Sequence, residues 1–209
     1  MLLETVTGQL VDVENPDPTT INIEDIAWGL SRISRFCGHT ITVIPYNVAQ
    51  HSLFVANEVD TFLNDHTLVK HLEIPDDIWM HWMVSTDMMS SLVLKALIHD
   101  AAEVYLGDLP SPIKQIPELR PVIKKIEAGL MTAVYTSLNI TEPTEYEEKI
   151  IKYADKIAQK IEAHAFMPSR GKHWPNMPTV TLERLQQFDQ PMSSLDSYKA
   201  FLDKFNSLR

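Results

Sequence analysis

Residues 90–110 read SSLVLKALIHDAAEVYLGDLP, and the fold turns on how this stretch is understood. Leu92, Val93, Ala96, Leu97, Ile98, Ala101, Ala102 and Val104 are apolar, as in a helix buried on most sides. Four ionisable residues interrupt them. At roughly 100° per residue, Asp100 lies about 100° around from His99 and Glu103 about 40° around. Lys95 sits one turn before His99, so all four share one sector. The pattern predicts a central helix from about Ser90 to Leu106, ended by GDLPSPIKQIP. A lone buried carboxylate costs several kcal/mol even after relaxation. Something must compensate for that cost, and a divalent cation is the simplest candidate.

Working outward, the flanking sequence is mostly helical. Thr5-Val6-Thr7, Gly8, Leu10 and Val13 suggest a short N-terminal hairpin, and NPDP at 15–18 reads as a linker. Asn22 is placed to cap a helix with Glu24 and Asp25 in its first turn and Ile23, Ile26, Ala27, Leu30 and Ile33 on its inner face. RFCGHTITVIPYN reads as a loop with a short β excursion at Ile41–Ile44. A helix from about Asn47 to Phe62 turns Val48, Val55, Val59 and Phe62 inward, and His51 falls in that stripe. Residues 64–88 are rich in Trp and Met and read as a less regular insertion. Further helices are predicted at about Glu118–Leu138 and Pro143–Phe166, a helical turn near Leu182–Phe188, and an amphipathic helix at Leu195–Leu208. The expected fold is mainly α, a helical bundle with a short N-terminal β-hairpin. One domain is expected over 1–209, with a helical core at about 20–166 and a C-terminal extension at about 167–209.

Two more polar groups point inward. His51 is one; Asp155 in IIKYADKIAQKI, between Ile151 and Ala158, is the other. With His99 and Asp100 they make two imidazoles and two carboxylates from three helices. That donor set suits Co, Mn, Zn, Ni or Fe. On residues alone, an inward histidine is also compatible with a hydrogen-bonded core position.

Bulk properties narrow the partners. The chain has 209 residues, 44% hydrophobic and 22% charged, with a formal net charge of −10. Without a Lys/Arg cluster, long nucleic acid is excluded as the expected partner, whereas a small phosphate ester is compatible. Cys37 is the single cysteine, so no internal disulfide forms. MLLETVTGQL lacks a secretory pattern and no apolar run spans a bilayer, so neither membrane nor export is expected, and a cytoplasmic location is.

At these residues the sequence resembles the HD-domain metal-dependent phosphohydrolases. NVAQHSL carries His51, LIHDAAE carries His99 and Asp100, and KYAD carries Asp155, in the family's order. The resemblance implies that these four hold a divalent transition metal. HDAAEVYLGDLPSPIK resembles the 5′-deoxynucleotidase branch more narrowly. There the resemblance implies that Glu103 helps activate the attacking water and that Asp108 contacts the deoxyribose. It also implies that Arg35 contacts phosphate and that Phe36 packs on base or sugar. The smaller dATP triphosphohydrolases of phages look similar again, and imply phosphate-binding roles for Lys114 and Lys152. By this resemblance the expected reaction is dATP to deoxyadenosine plus triphosphate or stepwise phosphate, with dADP and dAMP as further substrates; a phage-encoded member would act in the host cytoplasm. The plainer readings are a solvated lysine for Lys114 and Lys152, a surface salt bridge for Arg35 and a turn-capping carboxylate for Asp108. The rival functions are an HD-type phosphodiesterase on another nucleotide and a non-hydrolytic nucleotide-binding module. The Trp/Met-rich insertion and the face bearing Leu195, Tyr198, Phe201, Leu202 and Phe205 are candidate subunit contacts, and a homo-oligomer, dimer or hexamer, is expected.

Overall fold

A computed structural model describes residues 2–65, 70–186 and 190–209. Strands β1 (Leu2–Glu4) and β2 (Leu10–Asp12) pair antiparallel, with Leu3 opposite Val11. Helix α1 (Ile23–Leu30) is capped by Asn22, whose side chain accepts from the Asp25 amide. Asp25 in turn accepts from Thr5 Oγ1, the Thr7 amide and Thr7 Oγ1 at 2.7–3.0 Å. One buried carboxylate thus pins the hairpin to the first helix.

Helix α2 (Val48–Leu63) is the hub, because it packs against both α4 (Thr86–Leu97) and α8 (Glu145–Phe166). Between α2 and α4 lies α3 (Asp76–Met83). The 64–88 segment is therefore more regular than expected, although His66 and its neighbours through 69 lie outside the described residues. After α4 come the one-turn helices α5 (Glu103–Leu106) and α6 (Ser111–Lys114), then α7 (Arg120–Ser137). Helix α8 starts in a capping box, Thr144 with Glu147. The one-turn α9 (Leu182–Leu185) and the final α10 (Ser194–Ser207) follow, and α10 closes over α1 and α2. Phe188, the end of the helical turn expected near Leu182, lies outside the described residues. Among the described residues no helix is long and apolar enough to cross a membrane.

The core joins Ile26 and Leu30 of α1, Val55 and Val59 of α2, Leu92 and Leu97 of α4, Ile150 and Ile161 of α8 and Phe201 of α10. Fold class follows the sequence expectation: mainly helical, with a two-stranded hairpin.

Three local expectations need correction. The central helix does not run unbroken from Ser90 to Leu106. It stops at Leu97 and resumes at Glu103, and tighter i→i−3 bonds carry the chain between (Ala101 N to Ile98 O, Glu103 N to Asp100 O). Lys95 does not join His99 and Asp100. It is buried with Glu147, donating to both carboxylate oxygens at 2.8 and 3.0 Å. Ile41–Ile44 forms no strand; the bridge in this region pairs Ser34 with Asn47 on either side of it. Ile41, Val43 and Ile44 are exposed, and among the described residues no strand lies beside them to pair with.

Candidate metal centre

The break after Leu97 is what aims the site. His99 and Asp100 occupy the non-helical turn, so their side chains project together toward α2 instead of diverging around a helix. Ala27 to Leu30 press close behind: a Cβ on Gly29 would meet Val104 Cγ1 at 2.7 Å, so α1 and α5 approach as only glycine allows. Gly107, with φ of +78°, reverses the chain after α5 and places Asp108 beyond it.

His51 from α2 is fully buried, and its Nε2 lies 3.2 Å from Asp155 Oδ1 and 3.5 Å from Asp100 Oδ2. His99 Nε2 lies 3.2 Å from Asp100 Oδ2. Donor atoms of His51, His99 and Asp155 fall within 4.8 Å of one another, and the two imidazole centroids are 5.4 Å apart. The four residues expected to act together are thus brought together.

The other nitrogen of each ring is engaged. His99 Nδ1 donates to the Ala96 carbonyl at 2.8 Å, which fixes the ring with Nε2 toward the site. His51 Nδ1 is 2.6 Å from Glu162 Oε1. Both Nε2 atoms are buried and face the site's carboxylates, His51 Nε2 toward Asp155 Oδ1 and His99 Nε2 toward Asp100 Oδ2, each at 3.2 Å. Metal-ligating histidines have this arrangement: one nitrogen oriented by a carbonyl or carboxylate, the other free to coordinate. The donor set fits a divalent transition metal.

Electrostatics agree with a cation-seeking site. Burial opposes charge on Asp100, but His99, His51 and Arg35 outweigh it and hold that carboxyl well below the usual range. Asp155 is lowered too; burial again opposes, and the hydrogen bond and charge of His51 prevail. For His51, burial and Arg35 disfavour the imidazolium, yet Glu162 and Asp155 raise it to about 10. Glu103 behaves oppositely: burial first, then Asp100 and Asp108, push it up to about 9, against Lys114 and Arg35.

Arg35 is buried, which removes the surface reading. Its Nε is 3.3 Å from Glu162 Oε2 and its Nη1 3.7 Å from Asp100 Oδ2. Lys114 is partly buried between Glu103 Oε1 at 3.4 Å and Glu127 Oε1 at 2.9 Å, so it reaches the site's edge. Asp108 is half-buried, close enough to raise the Arg35 pKa, and no side-chain hydrogen bond caps the turn at Pro110. Lys152 stands apart: it is exposed, pairs with Glu148 one turn earlier, and lines a cleft of about 350 Å³ with His71, Tyr153, Lys149 and Lys156. Phe36 is half-buried beside Arg35.

Glu162 is the residue that sequence reasoning missed. It is fully buried, accepts from Tyr46 Oη at 2.9 Å, meets His51 Nδ1 at 2.6 Å and pairs by charge with Arg35 Nε at 3.3 Å. Burial raises its pKa, but His51 and Arg35 together with hydrogen bonds from His51 and Tyr46 win and lower it. Glu162→Gln is expected to weaken Mn²⁺ or Co²⁺ binding about 10–100-fold, read by titration calorimetry. It should also cost stability above pH 4.5, the ordinary value. The native pKa is lowered, so the unfolded chain takes up the proton first as pH falls. The gap between wild type and E162Q, read by urea unfolding of metal-free protein, therefore narrows as pH falls through the native pKa.

Comparison with known proteins points the same way. The family model described as 5′-deoxynucleotidase YfbR-like matches residues 26–207. The chain is 25% identical over 207 residues to "Uncharacterized protein YfdR" of Escherichia coli K12, covering 99% of this chain and 94% of that one. It is 32% identical over 149 residues to 5′-deoxynucleotidase VP0926 of Vibrio parahaemolyticus, 63% of this chain and 68% of the relative. A similar protein from Vibrio vulnificus, 5′-deoxynucleotidase VV1113, is 29% identical over 140 residues, 61% and 65% of the two chains.

Proposed function

The chain belongs to the YfbR-like 5′-deoxynucleotidase family, and from that premise we propose that it hydrolyses deoxynucleotide phosphates at the His51–His99–Asp100–Asp155 cluster. The proposed substrate is dATP, converted to deoxyadenosine plus triphosphate or dephosphorylated stepwise, with dADP and dAMP also accepted. One observation carries the reading: two imidazoles turn buried Nε2 atoms toward two carboxylates while their Nδ1 atoms are held from behind. His51, His99, Asp100 and Asp155 would hold the cation. A divalent cation bound there supplies Lewis acidity toward a phosphoryl oxygen and the attacking water.

The chain's own groups account for the remaining steps. Arg35, fixed by Glu162, directs its guanidinium at the phosphate and offsets the charge that substrate brings. Glu103 takes the proton of the attacking water; a carboxyl raised toward neutrality or above is a strong enough base to hold it. Lys114, 3.4 Å from Glu103, adds positive charge at the same edge. Asp108 accepts from the deoxyribose hydroxyl, and Phe36 packs on the nucleoside. Lys152 meets only the outer end of a long phosphate chain, since it faces the neighbouring cleft.

The test is a substrate panel. Protein is incubated with Co²⁺ or Mn²⁺ and each dNTP, dNMP and matching ribonucleotide, and nucleoside release is followed by chromatography. Release from deoxynucleotides, fastest with the adenine series and stopped by EDTA, is expected. No release from any of them, with either metal, sinks the reading.

A further inference from the structure

We propose that Trp174, in the loop after α8, forms with Phe36 an aromatic wall on which the ring of a bound nucleotide stacks. The inference rests on the deoxynucleotide reading above and adds a residue from the C-terminal extension to the substrate site.

Three observations carry it. First, the ring centroids of Phe36 and Trp174 are 5.5 Å apart at an interplanar angle of 55°, so the two rings touch without stacking face to face. Both side chains remain partly exposed. Large aromatic surfaces left half-open beside a polar site are suited to taking a flat ligand.

Second, the pair is continuous with the candidate metal centre through one residue. The Arg35 guanidinium lies 5.4 Å from the Phe36 ring centroid, and the same guanidinium reaches Asp100 at 3.7 Å. A ligand whose phosphate meets Arg35 and the cluster therefore extends its other end toward these rings.

Third, Phe36 itself and the loop that carries Trp174 include backbone in unusual conformations. Phe36 and Cys37 have φ of +55° and +52°, a region that costs any residue but glycine. The opposing loop carries Arg170 at φ +52° and turns through Gly171, whose carbonyl accepts from the Trp174 amide. Ile41 N donates to Phe166 O at 2.9 Å, tying the Phe36 segment to the end of α8 from which the Trp174 loop departs. Such outliers persist where surrounding structure over-determines them, and here they lie in the two segments that carry the rings.

Stacking on an aromatic face does not distinguish one base from another. Trp174 thus contributes affinity for the nucleoside end, not choice among bases. Trp174→Ala is expected to raise KM for every deoxynucleoside 5′-phosphate about tenfold, with kcat changed less than about threefold. KM for 2-deoxyribose 5-phosphate, which has no ring to stack, should rise by less than about twofold, and Trp174→Phe should restore the nucleotide KM to within about threefold of wild type. Equal rises on both substrates, or no rise on the nucleotide, overturns the proposal in favour of loop packing alone.

A second readout does not depend on turnover. Deoxyadenosine, with Mn²⁺ present, should quench tryptophan fluorescence of the wild type and not of W174F. A protein that shows the quench but hydrolyses no deoxynucleotide defeats the phosphohydrolase reading and leaves the aromatic wall standing. Absence of a quench, or an equal quench in W174F, defeats the wall whatever the activity.

Discussion

Glu103→Gln is expected to lower kcat for deoxynucleotide hydrolysis by about 10²–10⁴-fold, the range for removal of a positioned general base. The amide keeps the shape of the carboxyl but cannot accept a proton. KM should move by no more than about threefold, because the proposed role of Glu103 is on the water rather than on the substrate. The pH dependence provides the check that separates this role from a structural one. Burial, Asp100 and Asp108 push the carboxyl up to about 9 in the metal-free chain. A base works only when ionised, so kcat/KM of the wild type should rise with pH. A bound cation favours the carboxylate, which moves the rising limb from about 9 toward neutrality. In E103Q that limb should be absent and the residual rate flat. Retention of the wild-type limb in E103Q would assign the proton to another group.

Asp100→Ala is expected to remove both metal and activity. Asp100 stands nearest the centre of the charge cluster, with His99, His51 and Arg35 all within 3.7 Å of Oδ2. Loss of a cation that contributes several kcal/mol to the transition state corresponds to about 10³-fold or more in kcat/KM. Metal content by mass spectrometry should fall from about one ion per chain to near zero, while circular dichroism remains helical, since Asp100 lies between helices and not inside one. The alanine variant also leaves Arg35 with Glu162 as its remaining close carboxylate, so a modest loss of thermal stability is expected alongside. Full metal occupancy in D100A would show that the cation sits elsewhere.

The architecture was readable because its signals are periodic. Apolar spacing locates α1, α2, α7, α8 and α10 to within a few residues, and the expected cap of α1, Asn22, accepts from the Asp25 amide. The His-Asp pair and its two distant partners stood out because each interrupts an apolar stripe. The break in the central helix left no such mark. Ile98–Ala102 contains neither glycine nor proline, so the departure from α geometry is set by tertiary packing and not by local propensity. Lys95 was placed with His99 by helical angle, and that reasoning failed because the helix ends between them and Glu147 offers Lys95 a buried partner.

Glu162 was invisible for a different reason: α8 carries many glutamates and lysines, and a carboxylate among them reads as solvated. Its signal was positional. It falls two turns after Asp155 on the same face, in line with Ile151, Ala154, Ala158 and Ile161, all buried. Trp174 had no periodic signal, since it lies in a loop and meets Phe36 across a large sequence separation.

Anomalous diffraction from a crystal grown with Co²⁺ tests the central claim most directly. The account predicts a strong peak about 2.0–2.2 Å from His51 Nε2, His99 Nε2 and a carboxylate oxygen of each of Asp100 and Asp155. Cobalt bound elsewhere on the chain, or those four side chains in direct contact with no ion among them, would contradict it.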